Sequence, residues 1–514
     1  LWWNMLIGGM LTTFFFAKYW RRAGVLTELE FIEFRYSGKT AAFLRGFKAF
    51  YLGIFLNTLI IGWVNLALLS ILKVFFDIPE SQLIWYVGAA MLIASLYSTL
   101  SGLKGVAITD VVQFIIAITG SVVLAIVIVS SEKVGGISGL KEQVPKGTLD
   151  FFPSIRTGSP GDQATALAIG LGAFLAYIGV QWWASWYPGA EPGGGGYVAQ
   201  RMMSTKNEKH SVWATLFFQI AHYTIRPWPW ILVGLATLII YPDLPMAEKR
   251  LGYVMAINDY LPAGLKGLLV MALLAAYMST ISTQLNWGAS FIINDLYKRF
   301  IHTNKKAAGI KDQVDKHYVL ISRITTLVIM ALGLYITTLV SSISEVWQFL
   351  LECGAGLGLV LILRWYWWRI NAWSELTATI LPFIVYAVAR FALGWEFPNS
   401  FFLTVGITTA GWILVTFLTP ADHEQTLFTF IERVRPQGKW GKVYRMKGIQ
   451  KPPSSLKPLL VCWISSVVMI YSILFASGKL IFKEWTPGLI WLGVAIAGFL
   501  ILKTALNRQR MIEG

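Results

Sequence analysis

The chain has 514 residues, of which 56% are hydrophobic and only 14% are charged. Soluble proteins carry a charge on about a quarter of their residues, so this composition argues against a soluble enzyme. The formal net charge of +16 would favour nucleic-acid binding in a soluble domain, but in an apolar chain it is typical of basic cytoplasmic loops, and no nucleic-acid partner is expected.

Thirteen apolar runs follow one another along the chain, each long enough to cross a bilayer as a helix. Their continuous apolar character favours helices over the alternating strands of a membrane barrel. We therefore expect an all-α polytopic membrane protein with about 13 membrane helices, surrounded by the lipid of the plasma (inner) membrane. The runs lie at about 2–19, 47–76, 83–101, 105–130, 165–187, 212–241, 264–293, 319–340, 345–363, 375–393, 400–418, 458–476 and 487–504.

The loops between these runs differ in charge. If successive loops alternate between the two sides of the membrane, Lys and Arg are about three times more abundant on the side of loop 20–46 than on the other side. This excess assigns loop 20–46 to the cytoplasm and predicts a cytoplasmic C-terminus. Because the first run begins at Trp2, with no basic segment before it, we interpret the chain as lacking its N-terminus.

The inner loop 20–46 contains a predicted helix of its own. Thr27 followed by Glu30 is typical of a helix start, and the amphipathic pattern of 27–36 predicts a short helix at the membrane interface.

Two further loops divide the chain. The outer loop 131–164 is rich in Gly, Ser, Pro and Lys, which predicts an irregular exterior cap. The segment 421–457 is basic and predicts a cytoplasmic loop that touches anionic lipid. We expect a transporter core in 1–420, this basic loop, and then two C-terminal membrane helices with a tail in 458–514.

Three ionisable residues lie inside predicted spans, where a charge is costly and marks a functional site by default. Asp110 lies roughly 9 Å from the cytoplasmic end of the fourth helix, where it either binds a cation or only extends towards the interface. Arg226 and Glu352 either form a structural ion pair, or Arg226 binds a carboxylate-bearing solute. A standing pair favours a net neutral pocket that suits a sugar or polyol.

The seventh helix carries a cluster of hydroxyl groups. Ser279, Ser282 and Thr283 lie at positions i, i+3 and i+4, and therefore on one face of the helix. Hydroxyl and carbonyl oxygens suit a hard monovalent cation such as Na⁺, although small residues at this spacing also serve helix packing. The spacing leaves both interpretations open.

The fifth helix ends in tryptophans and then glycines. The segment 188–196, with five Gly and two Pro in nine residues, cannot continue a helix in lipid, so it is either a linker at the inner face or part of the discontinuous helix of a transporter's solute site. In the second case the indole rings offer flat faces on which a sugar ring can stack. The solute-binding candidates are then Gln181, Trp182, Trp183, Ser185 and Trp186, with Arg226 and Glu352.

Four segments, in this order, resemble signature stretches of the sodium/solute symporter family, which includes the sodium/galactose and sodium/proline symporters. The first, 24–36, is similar to the inner-loop signature of the family, and the second, 98–113, contains its glycine and Thr-Asp pair. The third is Gln200-Arg201 after the broken helix, and the fourth is 275–297, which ends in Asn-Asp-Leu-Tyr. The resemblance covers about residues 1–420. It implies a five-plus-five inverted-repeat core with alternating access, extra C-terminal helices, and two family helices that precede this chain.

The same resemblance implies that Na⁺ is the coupling ion and binds at two sites on the seventh helix. Further ligands of the first site come from a family helix that has no counterpart here. The first site is formed by Ala276, through its carbonyl oxygen, with Ser279 and Thr280, and the second by Asp110, Ser282 and Thr283.

The predicted function is sodium-coupled import of a small polar solute, with a sugar or polyol favoured and a carboxylate second. Positions that resemble the Glu, Lys and Gln sugar contacts of the sodium/galactose symporter are Trp2, Tyr223 and Leu351, so a galactose-like contact set is not expected. The alternatives are a membrane-embedded transferase-type enzyme and a sensor built on a transporter fold. Only His222 among the histidines lies in a span, and no soluble domain follows the last span, so we predict no enzyme activity and no obligate protein partner.

Overall fold

The computed structural model describes residues 4–145, 147–151, 170–187, 189–302, 311–340 and 342–508. In these ranges the chain forms helices and two single-residue β-bridges, which confirms the all-α class. In chain order the helices are Met5–Leu11, Thr12–Phe16 (π), Ala17–Ala23, Glu30–Arg35, Gly38–Phe50, Tyr51–Leu56 (π), Asn57–Phe76, Glu80–Val129, Gly136–Gln143, Leu171–Leu175, Ala176–Gln181 (π), Trp182–Ala184, Gly196–Ser204, Glu208–Ile220, Ala221–Ile225 (π), Pro227–Ile240, Met246–Leu251 (3₁₀), Gly252–Tyr260, Ala263–Ser290, Phe291–Ile301 (π), Lys311–Leu339, Ile343–Cys353, Leu357–Tyr366, Ala372–Ala387, Val388–Ala392 (π), Asn399–Leu418, Glu424–Val434, Gly441–Lys447, Leu456–Ile481 and Trp485–Arg508.

Nine helices of the described part of the chain are long and apolar enough to cross a membrane. Three shorter apolar helices accompany them, at Glu80–Leu96, Leu171–Ala184 and Leu357–Tyr366. The chain is therefore a multi-pass membrane protein. The beginnings of the predicted spans at 2–19 and 165–187 lie outside the described residues.

One predicted connection is wrong. The spans predicted at 83–101 and 105–130 form one continuous helix, Glu80–Val129. Gly102 and Gly105 do not interrupt it, because a single glycine costs a helix only about 1 kcal/mol and other interactions outweigh that cost.

The chain forms two compact units, each assembled from separate stretches of sequence. The first unit comprises Leu1–Arg45, Pro145–Ile225 and Gln348–Gly514, and the second comprises Gly46–Val144 and Arg226–Trp347. The units are interleaved along the chain, and the division expected near residue 420 stays a prediction.

The second unit is built around Ala263–Ser290, which packs on Glu80–Val129, Asn57–Phe76 and Lys311–Leu339. Polar side chains join these helices within a largely apolar core. The Tyr277 hydroxyl donates to Asn65 Oδ1 over 2.8 Å, and Asn65 Nδ2 donates to a threonine hydroxyl of Lys311–Leu339 over 2.8 Å. Such interhelical hydrogen bonds hold membrane helices together where lipid provides no hydrophobic driving force.

The predicted short helix of loop 20–46 forms at Glu30–Arg35, with Leu29 at its N-cap position and Thr27 in the turn before it. Thr27 Oγ1 accepts a hydrogen bond from Glu30 N over 3.0 Å, and Glu30 Oε2 accepts one from Leu26 N over 2.7 Å. Its apolar side packs on protein, because Phe31 is fully buried with its ring centroid 4.4 Å from that of Trp365.

Arg35, at the end of this helix, is completely buried and caps the C-terminal end of Leu357–Tyr366. Its Nε donates to the carbonyl of Arg364 over 2.7 Å, and Nη2 donates to that of Ile370 over 3.1 Å. Nη1 donates to Asp422 Oδ2 over 3.4 Å. The planar guanidinium thus satisfies carbonyl groups that a helix end leaves without internal partners.

The basic segment 421–457 is folded and not extended. It contains the helices Glu424–Val434 and Gly441–Lys447, whose buried Phe430 and Trp440 rings stack with centroids 5.0 Å apart. The outer loop 131–164 likewise contains a short helix, Gly136–Gln143, while 152–164 lie outside the described residues.

Candidate sodium and solute sites

The carboxylate of Asp110 lies against the hydroxyl face of Ala263–Ser290, within the second unit. Ser279 Oγ donates to Asp110 Oδ1 over 2.5 Å. Ser282 Oγ donates to the carbonyl of Ser279 over 3.0 Å, and Thr280 Oγ1 to that of Ala276 over 2.9 Å. A hydroxyl that donates its proton to a protein oxygen keeps its lone pairs available for a cation.

Asp110 contacts a residue of the first expected sodium site. The resemblance grouped Asp110 with Ser282 and Thr283, whereas the observed hydrogen bond joins it to Ser279. Ser282 is 1% exposed, while the side chains of Asp110, Ser279 and Thr283 are half-buried. The two expected sites therefore adjoin through Ser279.

The charge of this cluster suits a monovalent ion. The described residues contain no group of three or more His, Cys, Asp or Glu side chains that could hold a metal ion. One carboxylate among neutral oxygens balances a single positive charge, whereas Ca²⁺ sites usually gather several carboxylates. The donor set at Asp110 therefore fits Na⁺ better than a divalent ion.

Two interrupted helices meet within the first unit. The helix that contains Trp182–Ala184 ends at Ala184, and Ile343–Cys353 ends one turn before Leu357–Tyr366 begins. Gly356 N donates to the carbonyl of Ala184 over 2.8 Å, and Trp186 N donates to that of Gly354 over 3.1 Å. Ser185 pairs with Ala355 in an antiparallel bridge. The backbone groups that each break exposes are thus satisfied by the other break.

Glycines at this junction are required by close backbone approach. A Cβ on Gly354 would lie 2.7 Å from the carbonyl oxygen of Trp186, and one on Gly358 would lie 2.7 Å from Pro192 Cγ. Gly356 has a φ of +91°, which a residue with a side chain rarely adopts. Close approach of the two backbones and a positive φ therefore require glycine at these positions.

Gln181 and Ser185 are both buried, and each makes a side-chain hydrogen bond to another part of the first unit. Ser185 Oγ donates to the carbonyl of Leu351 over 3.0 Å. Gln181 is 3% exposed, and its Oε1 accepts a hydrogen bond from Asn4 Nδ2 over 3.2 Å. Asn4 also donates to the carbonyl of Tyr177 over 2.6 Å. Asn4 is not an ionisable residue and so is not among the residues predicted above, although a neutral amide in the first apolar run is a comparable signal.

The three tryptophans of this segment differ in their surroundings. The indole N–H of Trp182 donates to the carbonyl of Ile178 over 3.0 Å, and that of Trp183 to the carbonyl of Gly179 over 2.8 Å. Trp186 is buried. Trp182 and Trp183 are half-buried, and the Trp182 ring lies 5.7 Å from the Trp463 ring between centroids.

Glu352 is buried in the first unit between two neutral donors. Gln348 Nε2 donates to its Oε1 over 3.1 Å, and Ser400 Oγ donates to its Oε2 over 2.6 Å. Arg226 belongs to the second unit, where it is the N-cap of Pro227–Ile240 and lies 4.7 Å from the centroid of the Trp230 ring. The pairing of Glu352 with Arg226 stays a prediction.

Interrupted helices with polar junctions and an oxygen-lined ion site are the architecture of secondary transporters. The model of the sodium:solute symporter family matches residues 1–381, and the chain belongs to this family.

Relatives of the chain agree with this assignment. It is 24% identical over 412 residues to a sodium/glucose cotransporter of Vibrio parahaemolyticus, covering 75% of this chain and 70% of that protein. It is 25% identical over 447 residues to the sodium/sialic acid symporter SiaT of Proteus mirabilis, covering 82% and 83%. The fold is similar to the substrate-bound outward-open structure of a Na⁺-coupled sialic acid symporter, with a TM-score of 0.58, 21% identity and coverage of 82% and 84%. Family and relatives support sodium-coupled symport in general, with sodium as the coupling ion.

Proposed function

We propose that this protein imports a small neutral polar solute, a sugar or polyol, together with Na⁺ by alternating access. The observation that carries the ion site is the hydrogen bond from Ser279 Oγ to Asp110 Oδ1 within a row of hydroxyl and carbonyl oxygens. A carboxylate in a medium of low dielectric constant is costly unless a cation or several donors stabilise its charge. Na⁺ supplies that cation, with Asp110, Ser282 and Thr283 in one site and Ala276, Ser279 and Thr280 in the other.

The solute class follows from the polar groups of the junction. Both carboxylate oxygens of Glu352 and Oε1 of Gln181 are hydrogen-bond acceptors, which match the hydroxyl donors of a sugar or polyol. A buried carboxylate held by neutral donors would repel an anionic solute. Trp182 and Trp183 then contribute ring faces against which the apolar face of a sugar packs.

Sodium binding is tested first without solute. NaCl should raise the unfolding temperature of the purified protein, whereas equal concentrations of KCl should not, because a ligand that binds only the folded state stabilises it. Asp110→Asn should raise the sodium concentration for half-maximal stabilisation by about tenfold, equivalent to about 1.4 kcal/mol.

A second site variant and a matched control accompany this measurement. Thr283→Val removes a hydroxyl of the expected second site, and Thr326→Val removes one that only bonds to its own helix, at Ser322 O over 3.0 Å. Weaker sodium stabilisation in Thr283→Val but not in Thr326→Val supports the assignment. If Asp110→Asn responds to sodium as the wild type does, Asp110 is not a sodium ligand.

Solute specificity is tested in proteoliposomes with an inward sodium gradient. Uptake of a panel of sugars and polyols should exceed that of carboxylates of similar size, and glutamine at Glu352 should lower the apparent affinity for the best solute. Preferential uptake of carboxylates would instead make Arg226 the solute-binding group, and Arg226→Met should then abolish only their uptake.

A further inference from the structure

Part of the basic segment 421–457 is fixed to the end of the helix Leu357–Tyr366, within the first unit. The backbone N–H of Lys439 donates to the last carbonyl of this helix over 2.6 Å, and Lys439 forms a parallel bridge with Trp367. Trp440 is fully buried, and its indole N–H donates to another carbonyl of the helix over 2.8 Å. The position of Lys439 at the helix end is therefore set by backbone contacts and by a buried neighbour.

Two lysines of this segment lie over neighbouring tryptophan rings. Lys439 Nζ is 6.0 Å from the centroid of the Trp367 ring, and Lys442 Nζ is 5.0 Å from that of the Trp368 ring. Both lysines are exposed, and both tryptophans are half-buried. A lysine that rests on an aromatic ring covers apolar surface with its stem and keeps its charged end in contact with water. The rings therefore give each ammonium group a defined place on the surface.

Neither lysine has an acidic partner in the ranges that the structure describes. Lys447, in the same short helix as Lys442, is by contrast paired with Glu432. Arg369, which follows Trp368, donates through Nη2 to a backbone carbonyl over 2.5 Å, and no carboxylate of the described residues pairs with it. Three positive charges therefore lie at this edge of the first unit without a carboxylate to balance them.

The same edge borders the end of a membrane helix. The Trp367 ring lies 5.7 Å between centroids from that of Phe417, which is 61% exposed near the end of the candidate span Asn399–Leu418. The carbonyl that Arg369 contacts belongs to Thr419, the residue after this span. Tryptophans at the ends of membrane helices lie at the level of the lipid headgroups. The ammonium groups above these rings are then at the same level.

We propose that Lys439 and Lys442, supported by the charge of Arg369, bind the phosphate groups of anionic phospholipids at this edge. An ammonium group combines a full positive charge with three hydrogen-bond donors, which suit the oxygens of a phosphate. An anionic leaflet attracts basic side chains only within about a Debye length, roughly 10 Å at 0.1 M salt. The tryptophan rings keep both ammonium groups within that range.

This surface is separate from the proposed sodium and solute sites. The sequence predicts contact with anionic lipid for 421–457 as a whole, whereas the contacts above single out two of its lysines. Lys451, for comparison, donates to the carbonyl of Gly438 over 2.7 Å. Lipid bound at Lys439 and Lys442 would hold the folded segment, and through Trp440 the end of Leu357–Tyr366, at the face of the membrane.

The test is native mass spectrometry of the full chain in a neutral detergent, titrated with dioleoyl phosphatidylglycerol or dioleoyl phosphatidylcholine. Each bound lipid adds its own mass, so the apparent dissociation constants of the two lipids are compared without a sodium gradient or a solute. The wild type should bind phosphatidylglycerol about tenfold more tightly than phosphatidylcholine. Lys439→Gln combined with Lys442→Gln should weaken phosphatidylglycerol binding roughly 25-fold, about fivefold for each lysine, and leave phosphatidylcholine binding unchanged.

A matched control removes the same charge elsewhere. Lys133→Gln combined with Lys249→Gln changes two exposed lysines of the second unit and should bind phosphatidylglycerol as the wild type does. Trp368→Leu keeps the charges but removes the ring beneath Lys442, so it should weaken binding by a smaller factor, about threefold. If a variant does not fold, the wild type alone decides, because raising the ammonium acetate concentration should weaken binding of phosphatidylglycerol and not of phosphatidylcholine.

Equal affinity of the wild type for the two lipids would overturn the proposal. So would unchanged phosphatidylglycerol binding in the variant at Lys439 and Lys442, or an equal loss in the control pair, which would indicate attraction by the net charge of the chain. Displacement of phosphatidylglycerol by glycerophosphate at millimolar concentration would also contradict it, because the surface would then bind a soluble phosphate and not a lipid.

Discussion

Replacing Arg35 by methionine should lower the free energy of unfolding by about 3–5 kcal/mol, the range observed when one partner of a buried charged pair is removed. The substitution leaves Asp422, whose side chain is 3% exposed, without its cation. It also deprives the carbonyls of Arg364 and Ile370 of their donor, and each unsatisfied buried acceptor costs about 1–3 kcal/mol. Relief from burying the guanidinium offsets part of this sum, which keeps the expected loss within the stated range.

Lysine at the same position gives a graded comparison. Its ammonium group keeps the charge but lacks the planar fork that reaches several carbonyls at once. Arg35→Lys should therefore lower the free energy of unfolding by more than about 1 kcal/mol, but by only about half as much as Arg35→Met. Arg390→Met is the matched control. It removes an exposed pair with Glu396, with side chains 40% and 77% exposed, which should contribute about 1 kcal/mol or less.

The assay is unfolding by sodium dodecyl sulfate in mixed detergent micelles, followed by tryptophan fluorescence. Because the Trp440 ring lies 4.8 Å from the Arg35 guanidinium, the same signal also reports the local environment. Adding Asp422→Asn to Arg35→Met should recover part of the loss, since no unpaired charge then remains. A loss for Arg35→Met no larger than for Arg390→Met would refute this account of the buried guanidinium.

Three further predictions concern the helix junction, the orientation of the chain in the membrane and the ionisable residues Arg226 and Glu352. Gly356→Ala should destabilise the protein by more than 1 kcal/mol in the same assay, on the order of the cost of a strained residue at positive φ, because a Cβ there would also lie 2.6 Å from a threonine side chain. Cysteines at Gln450 and Lys133 should react with impermeant maleimide only from the cytoplasm and only from outside, respectively, while both native cysteines are buried and stay unlabelled; reversed labelling would invert the topology. Glu352→Gln should lower the apparent affinity for the solute, and if Glu352 and Arg226 form a pair, the double variant with Arg226→Met should fold better than either single variant.

Much of the fold is predictable from sequence because membrane helices need long apolar runs. What the pattern does not show is where a helix changes from α to π geometry, as at Ala176–Gln181 and Phe291–Ile301. A π turn inserts one residue without changing composition, and tertiary packing decides its position. For the same reason the continuous helix Glu80–Val129 was missed, since its glycines are tolerated by context.

The sequence predicts which helix face carries the hydroxyl groups of the candidate site, but not which of these groups contacts Asp110. The spacing of Ser279, Ser282 and Thr283 places them on one face of the helix. Successive side chains on a helix are about 100° apart around its axis, so the rotation of the neighbouring helix determines which of the three meets Asp110. Similarly, an acidic residue in a span indicates a site, whereas its partners, here the amide of Gln348 and the hydroxyl of Ser400, come from positions with no distinctive sequence signal.

The reciprocal backbone hydrogen bonds between Ala184 and Gly356, and between Gly354 and Trp186, couple the movements of the two interrupted helices. A displacement of one break must either carry the other with it or cost two or more backbone hydrogen bonds in a site with little water to replace them. Motion around the solute is therefore expected to pivot at points away from the breaks. The two breaks should then move as one rigid body, and substitutions near either break should affect the same step of the transport cycle.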